Sequence, residues 1–189
     1  MVSNILPLTF VTNRRLPIPG IDPWYADPRD PALSVMTDFR ERSSVTVSDT
    51  ATIDDALEHM RHTGVRCAFA IDAPMGVVLG LITAYDIAGE KPMQYMLSRA
   101  MRRQDVLVRD IMQDISRCQV AEIKQVERAT VAAVANMFTG NGLTHVPVME
   151  TDEAGRQRLR GVLSAAKVQR LLMRAPSLPL RHSGTLSFT

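Results

Sequence analysis

Two pairs of residues stand three apart with side chains suited to a polar ligand: Thr83 with Asp86, and Ser164 with Lys167. Thr83 closes the apolar run Gly80-Leu81-Ile82 and leads into Ala84-Tyr85-Asp86-Ile87, so the first pair flanks the junction of a strand and a helix. At such a junction a hydroxyl and the free N-terminal amides of the helix face one point and can receive a phosphate. One turn on, the Asp86 carboxylate offers two acceptor oxygens with the reach for the vicinal hydroxyls of a ribose. The same residues also read as an N-cap and a first-turn carboxylate stabilised by the helix dipole, and the capping and binding roles are compatible. In the second pair Ser164 keeps the hydroxyl, but Lys167 presents only donors. It suits a phosphate or water and cannot accept from a ribose, so the two sites are expected to be unequal.

The other reactive side chains do not assemble into a catalytic set. His145 has two open readings, lining a cleft or sitting satisfied in a strand, and no partner fixes its tautomer for proton transfer. The remaining histidines, His59, His62 and His182, are not placed near it by the repeat described below, so no metal site is expected. Cys67 and Cys118 are too distant in sequence for a Cys-x-x-Cys site and read as buried reduced thiols. Nucleophile-elbow, Walker, His-Glu-x-x-His and dinucleotide-binding signatures do not occur. The chain is therefore expected not to be an enzyme.

Composition narrows the partners. The chain is 46% hydrophobic and 22% charged, within the globular range. Its 22 basic and 20 acidic side chains leave a formal charge of +2, too small a field to concentrate nucleic acid or anionic lipid. Short basic groups such as Arg99 to Arg103 read as solvated faces. Met1 to Phe10 lacks the pattern of a secretory signal, and nowhere do about 18 apolar residues run together. A cytoplasmic protein without membrane or nucleic-acid partners is expected.

The elements that position these residues come from an internal repeat. Thr52-Ile53-Asp54-Asp55-Ala56-Leu57 aligns with Thr130-Val131-Ala132-Ala133-Val134-Ala135, 78 positions on, and Gly64 to Ile71 aligns with Gly142 to Met149 in the same register. Gly80-Leu81-Ile82-Thr83 meets Gly161-Val162-Leu163-Ser164 at 81, which places three extra residues in the polar stretch Glu150 to Arg160, a hairpin loop. Ser34-Val35-Met36 and Asp110-Ile111-Met112 correspond at 76, so each copy opens with a short apolar element ending in Met.

Within each copy the periods read as β-α-β-β-α. Ile53, Ala56, Leu57 and Met60 mark one helical face behind a Thr52 cap, and Val131, Val134, Ala135 and Phe138 do the same behind Thr130. Gly64 ends the first helix, and Gly140 or Gly142 the second. The runs Cys67 to Ile71 with Val77 to Ile82, and Val146 to Met149 with Arg160 to Leu163, read as hairpins. Strands are also expected at Val45 to Val47 and Val120 to Ile123, and helices at Ala84 to Ala88 and Ala165 to Met173. Prolines 7, 17, 19, 23, 28 and 31 make residues 1–32 an arm, with Trp24 and Tyr25 read as packing on the globule. Residues 33–90 and 109–174 hold the two motifs, 91–108 a connector and 175–189 a tail.

Gly80 to Ile87 resembles the Gly-h-h-Thr/Ser-x-x-Asp signature (h, apolar) that closes cystathionine-β-synthase (CBS) motifs, and Gly142-Leu143-Thr144-His145-Val146-Pro147-Val148 resembles their central strand. The resemblance spans about residues 33 to 174. It implies an α+β fold in which two motifs pack through their sheets with pseudo-twofold symmetry, the arrangement of a Bateman module, and which often pairs into a homodimer. It also implies clefts that bind adenosine-containing ligands such as AMP, ADP, ATP or S-adenosylmethionine as regulators rather than as catalytic cofactors. On that pattern Val47, Cys67 and Ala68 of the first cleft surround the adenine, with Thr83 and Asp86 at the ribose and phosphate; Tyr85 has two open readings, plain packing on the helix surface or covering the base. The second, weaker cleft comprises His145, Val146, Ser164 and Lys167. A ligand-free dimerisation or protein-interaction scaffold is the competing expectation. The stripe Met93, Met96, Leu97 and Met101 supports a dimer in either case.

Overall fold

The computed structural model describes residues 24–173. The tail and the first part of the arm lie outside them. An opening 3-10 turn, Ala32–Val35, leads to β1 (Thr37–Asp38) and β2 (Thr46–Ser48), then α1 (Ile53–His62), β3 (Cys67–Asp72), β4 (Val77–Thr83) and α2 (Ala84–Ala88). The connector forms α3 (Lys91–Arg99). The second half follows as α4 (Val108–Ile111), β5 (Gln113–Asp114), β6 (Ala121–Glu122), α5 (Ile123–Arg128), α6 (Val131–Asn141), β7 (His145–Thr151), β8 (Gln157–Ser164) and α7 (Ala165–Met173).

Local sequence sets most boundaries. Thr52 and Thr130 cap α1 and α6, each hydroxyl accepting from the amide three residues on. Gly142 ends α6 at φ 63°, a left-handed conformation that a Cβ disfavours. The three extra residues of the second copy extend the β7–β8 hairpin, whose turn is held by Asp152 accepting from the amides of Ala154 and Arg156. Val120 to Ile123 departs from expectation. Only Ala121–Glu122 pairs as a strand, and α5 begins at Ile123 because Ile123 and Val126, three apart, both turn into the core.

The strands form two four-stranded sheets, ordered β2-β3-β4-β5 and β1-β8-β7-β6. In each, the outer repeat strand runs parallel to the first hairpin strand, and the hairpin itself is antiparallel. The fourth strand of each sheet comes from the other half. β1 pairs with β8, Thr37 opposite Val162, and β5 pairs with β4, Gly80 opposite Asp114. The opening element of each repeat is thus exchanged onto the partner repeat.

Backbone bonds repeat the exchange with pseudo-twofold fidelity. The Ile53 amide donates to the Val106 carbonyl as that of Val131 does to Asp30, and Val108 donates to Ala51 as Ala32 does to Ala129. The cores follow the same division. Ala26, Ala32, Val35 and Met36 pack with Val131, Phe138, Val148 and Leu171, while Val106, Val108 and Ile111 pack with Ile53, Met60, Ile82 and Ile87. Burying the side chains of Val35 and Met36 in the second core contributes about 1.5–3 kcal/mol each. Arg160, nearly buried, adds ion pairs to Asp38 on β1 and Glu150 on β7.

Gly80 and Gly161 make the exchange sterically possible. A Cβ on Gly161 would stand 2.5 Å from the Thr37 carbonyl oxygen and 3.2 Å from Met36 Sδ; on Gly80 it would stand 2.6 Å from the Gln113 carbonyl oxygen and 2.7 Å from Met112 Sδ. The glycines of the repeated motif are therefore the points where the visiting strand's backbone lies against its host. On the opposite face of the first sheet, Phe69 and its cross-strand partner Leu81 are buried outside both cores. The Phe69 ring meets Phe39 edge-on at 5.7 Å, joining the halves.

Candidate functional site

A cleft of about 290 Å³ opens where the two halves meet, near the lower end of the roughly 300–1,000 Å³ typical of small-molecule sites. The first half contributes Thr83, Tyr85 and Asp86 from the β4–α2 junction and Lys91 from the start of α3; β5 adds Gln113, and the second half adds Gly142 to His145. The cleft exists because β4 ends at a capping box. The Thr83 hydroxyl accepts from the Asp86 amide at 3.1 Å, and Asp86 Oδ2 accepts from the Thr83 amide at 2.9 Å and its hydroxyl at 2.7 Å. This locks the carboxylate in one rotamer. Its second oxygen, Oδ1, lies 2.6 Å from Lys91 Nζ.

His145 faces this carboxylate from the other half. Burial lowers its pKa from the ordinary histidine value, with Asp86 opposing, so the ring is neutral at physiological pH. One ring nitrogen, Nδ1, lies 3.1 Å from Thr144 Oγ1. Tyr85 is half exposed at the rim, where its hydroxyl accepts from Arg66 Nη1 at 3.0 Å. The arrangement offers fixed acceptors, one cation and one neutral imidazole, and no activated nucleophile. Among the described residues no cluster of three or more His, Cys, Asp or Glu side chains could hold a metal ion.

The structure groups the sequence-derived residues differently from the motif pattern. Thr83, Tyr85, Asp86 and His145 share this cleft, although His145 was expected in the second. Val47 and Ala68 are buried in the first core, and Val146 in the second. Cys67 stands beside Thr83 on β3; burial, then the charge of Asp86 and the neighbouring Cys118, pushes its thiol pKa up to about 12.

Ser164 pairs with His145 across the hairpin, and Lys167 lies one turn into α7. The Lys167 ammonium donates to the Met36 carbonyl at 3.2 Å and Thr37 Oγ1 at 3.4 Å. Thr37 corresponds to Gln113 by the repeat, so a lysine side chain bridges at the second junction what lies open as the cleft at the first. Sequence reading missed Lys91, assigned to the connector; its only signal is its place just after the helix stop at Gly89.

The CBS domain family profile matches residues 28–91. Over those residues the chain matches a CBS domain. Solved structures extend the likeness to both halves, since the fold is that of CBS pairs. An uncharacterized conserved protein from Pyrococcus horikoshii is 18% identical with a TM-score of 0.55, covering 79% of this chain and 96% of that one. CBSX2, a CBS-pair protein from Arabidopsis thaliana solved in complex with AMP, is 20% identical with a TM-score of 0.50, over 75% of this chain and 94% of its own. The CBS domain pair of protein MJ0100, in complex with 5'-methylthioadenosine and S-adenosyl-L-methionine, is 19% identical with a TM-score of 0.50, over 76% and 96%. Curated protein sequences gave no match. No helix among the described residues of this chain is long and apolar enough to cross a membrane.

Proposed function

We propose that this CBS protein is a non-catalytic regulatory module that binds an adenosine-containing ligand, such as AMP, ADP, ATP or S-adenosylmethionine, in the cleft between its halves. The observation that carries the reading is Asp86: its carboxylate is held rigid by Thr83 inside an inter-repeat cleft, where it can accept from a ribose. Solved neighbours of this fold with AMP or S-adenosyl-L-methionine bound lend support to the ligand class. The half-exposed Tyr85 ring supplies an apolar face for the base. A ligand touching both halves biases their relative arrangement by its differential affinity for two states, which is what regulation requires. Met93 and Leu97, exposed on one face of α3, support a homodimer, and the two free thiols suit a reducing cytoplasm.

Calorimetry tests the cleft assignment. Asp86→Asn keeps the side-chain shape but loses the charge, and hydrogen bonds to charged groups are worth about 1.5–3 kcal/mol. Affinity for the ligand that binds the parent should fall roughly ten- to a hundredfold. An Asp86→Asn protein that is folded and binds as tightly as the parent removes Asp86 from the site. A parent that binds none of the four ligands leaves the interaction-scaffold reading in its place. A monomer in sedimentation at roughly ten times the dissociation constant of a weak, micromolar dimer overturns the homodimer.

A further inference from the structure

The ion pair between Asp86 and Lys91 bears on which ligand the cleft takes. Asp86 Oδ2 is used by Thr83, and Oδ1 is 2.6 Å from Lys91 Nζ, so in the free protein the oxygen that a ribose would use is held by the lysine. Asp86 is 19% exposed and Lys91 48%, so the ammonium can swing toward solvent while the carboxylate stays fixed. Lys91 is the one lysine or arginine lining the cleft among the described residues. It is also the first residue of α3, followed by Pro92, so the helix start fixes its backbone while its side chain is half exposed.

A neutral nucleoside that hydrogen-bonds Asp86 would displace the ammonium and leave it without a counter-charge. S-adenosylmethionine would do the same, and although it carries a carboxylate, its sulfonium and ammonium make it a net cation, which the displaced lysine repels. A ligand carrying phosphate supplies the displaced ammonium with a new anion as it takes Asp86. We infer that Lys91 is the specificity-determining residue of the cleft and that the ligand is a phosphorylated adenosine rather than S-adenosylmethionine. This rests on the reading that the cleft binds an adenosine-containing ligand. Glu90, the remaining carboxylate at the rim, is exposed and accepts from Gln94 Nε2 along the helix at 3.4 Å. It opposes a phosphate, so Glu90→Gln should strengthen the selectivity.

The test is calorimetric titration of adenosine, AMP and S-adenosylmethionine into the parent, Lys91→Ala, Lys91→Arg and Glu90→Gln. The parent should bind AMP about tenfold tighter than adenosine, the value of a charge-assisted contact at a half-exposed site, and S-adenosylmethionine more weakly than either. In Lys91→Ala the ratio of AMP to adenosine should fall to about one by loss of that contact, with adenosine held at least as tightly because the competitor for Asp86 is gone. Lys91→Arg should restore the ratio, and Glu90→Gln should raise it. If Lys91→Ala keeps the parent's ratio, or the parent binds S-adenosylmethionine as tightly as AMP, the role of Lys91 is refuted while the adenosine site stands. If the parent binds none of the three and neither ADP nor ATP, the adenosine reading fails and takes this inference with it.

Discussion

Gly161→Ala tests the exchange of opening elements directly. The new Cβ would stand 2.5 Å from the Thr37 carbonyl oxygen, a backbone atom, so something must move. Two responses compete. The chain can absorb the overpacking by shifting β1 and β8, at a typical cost of about 1–3 kcal/mol. Alternatively β1 can detach, which forfeits the pairing with β8, the Phe39 amide bond to Arg160 and the buried side chains of Val35 and Met36. Each of those side chains alone contributes about 1.5–3 kcal/mol, so detachment costs more and strain wins. The expected loss is about 1–3 kcal/mol, read as a fall of roughly 1 M in the urea midpoint, since small proteins have slopes of about 1–3 kcal/mol/M. Gly140→Ala is the control: nothing lies within 4 Å of its Cβ position in α6, and a helical glycine replaced by alanine should gain about 0.4–1 kcal/mol. If Gly161→Ala leaves the midpoint unchanged, β1 does not lie against β8 and the exchange is wrong.

Lys167→Ala removes the ammonium bonds to Met36 and Thr37 and should cost about 1–2 kcal/mol, less than two fully buried charged bonds because the lysine is only partly buried. An unchanged urea midpoint would mean the bridge contributes nothing. His145 has a folded-state pKa below its ordinary 6.5, so the unfolded chain binds the extra proton and stability falls with acid, starting as pH drops through about 6.5 and continuing to the lower native value. His145→Gln should flatten that slope in pH-dependent denaturation, and an equal slope in both proteins would rule the residue out. Cys67, its thiol at about 12 through burial, should resist alkylation in the native protein, with Cys118 modified first; peptide mapping showing the reverse order would contradict the burial.

What the sequence showed and what it hid divide along contact range. Thr52 and Thr130 caps, the helix faces behind them, α7 over Ala165–Met173 and the longer second hairpin are written in spacings of a few residues, and each stands where those spacings put it. The identity of the host sheet is not local. Ser34-Val35-Met36 and Asp110-Ile111-Met112 look alike, and nothing within either segment tells that Thr37 pairs with Val162 rather than with its own repeat. The glycines at 80 and 161 were visible as motif residues, but the reason for them is a carbonyl from a distant strand. The same limit hid Lys91, whose meaning depends on the fold returning α3 to the end of β4, and it separated His145 from Asp86 although the two face one cleft.

The traded opening segments also determine what becomes of this chain if it is cut or shortened. Severed after α3, it yields two pieces, each missing the fourth strand of its own sheet and carrying the one that completes the other's. Such fragments complement one another as an obligate heterodimer and cannot fold to the same structure apart. By the same geometry, a polypeptide with one opening segment and one repeat could finish its sheet only reciprocally, with a second copy of itself. The tandem protein is that dimer joined by a covalent tether.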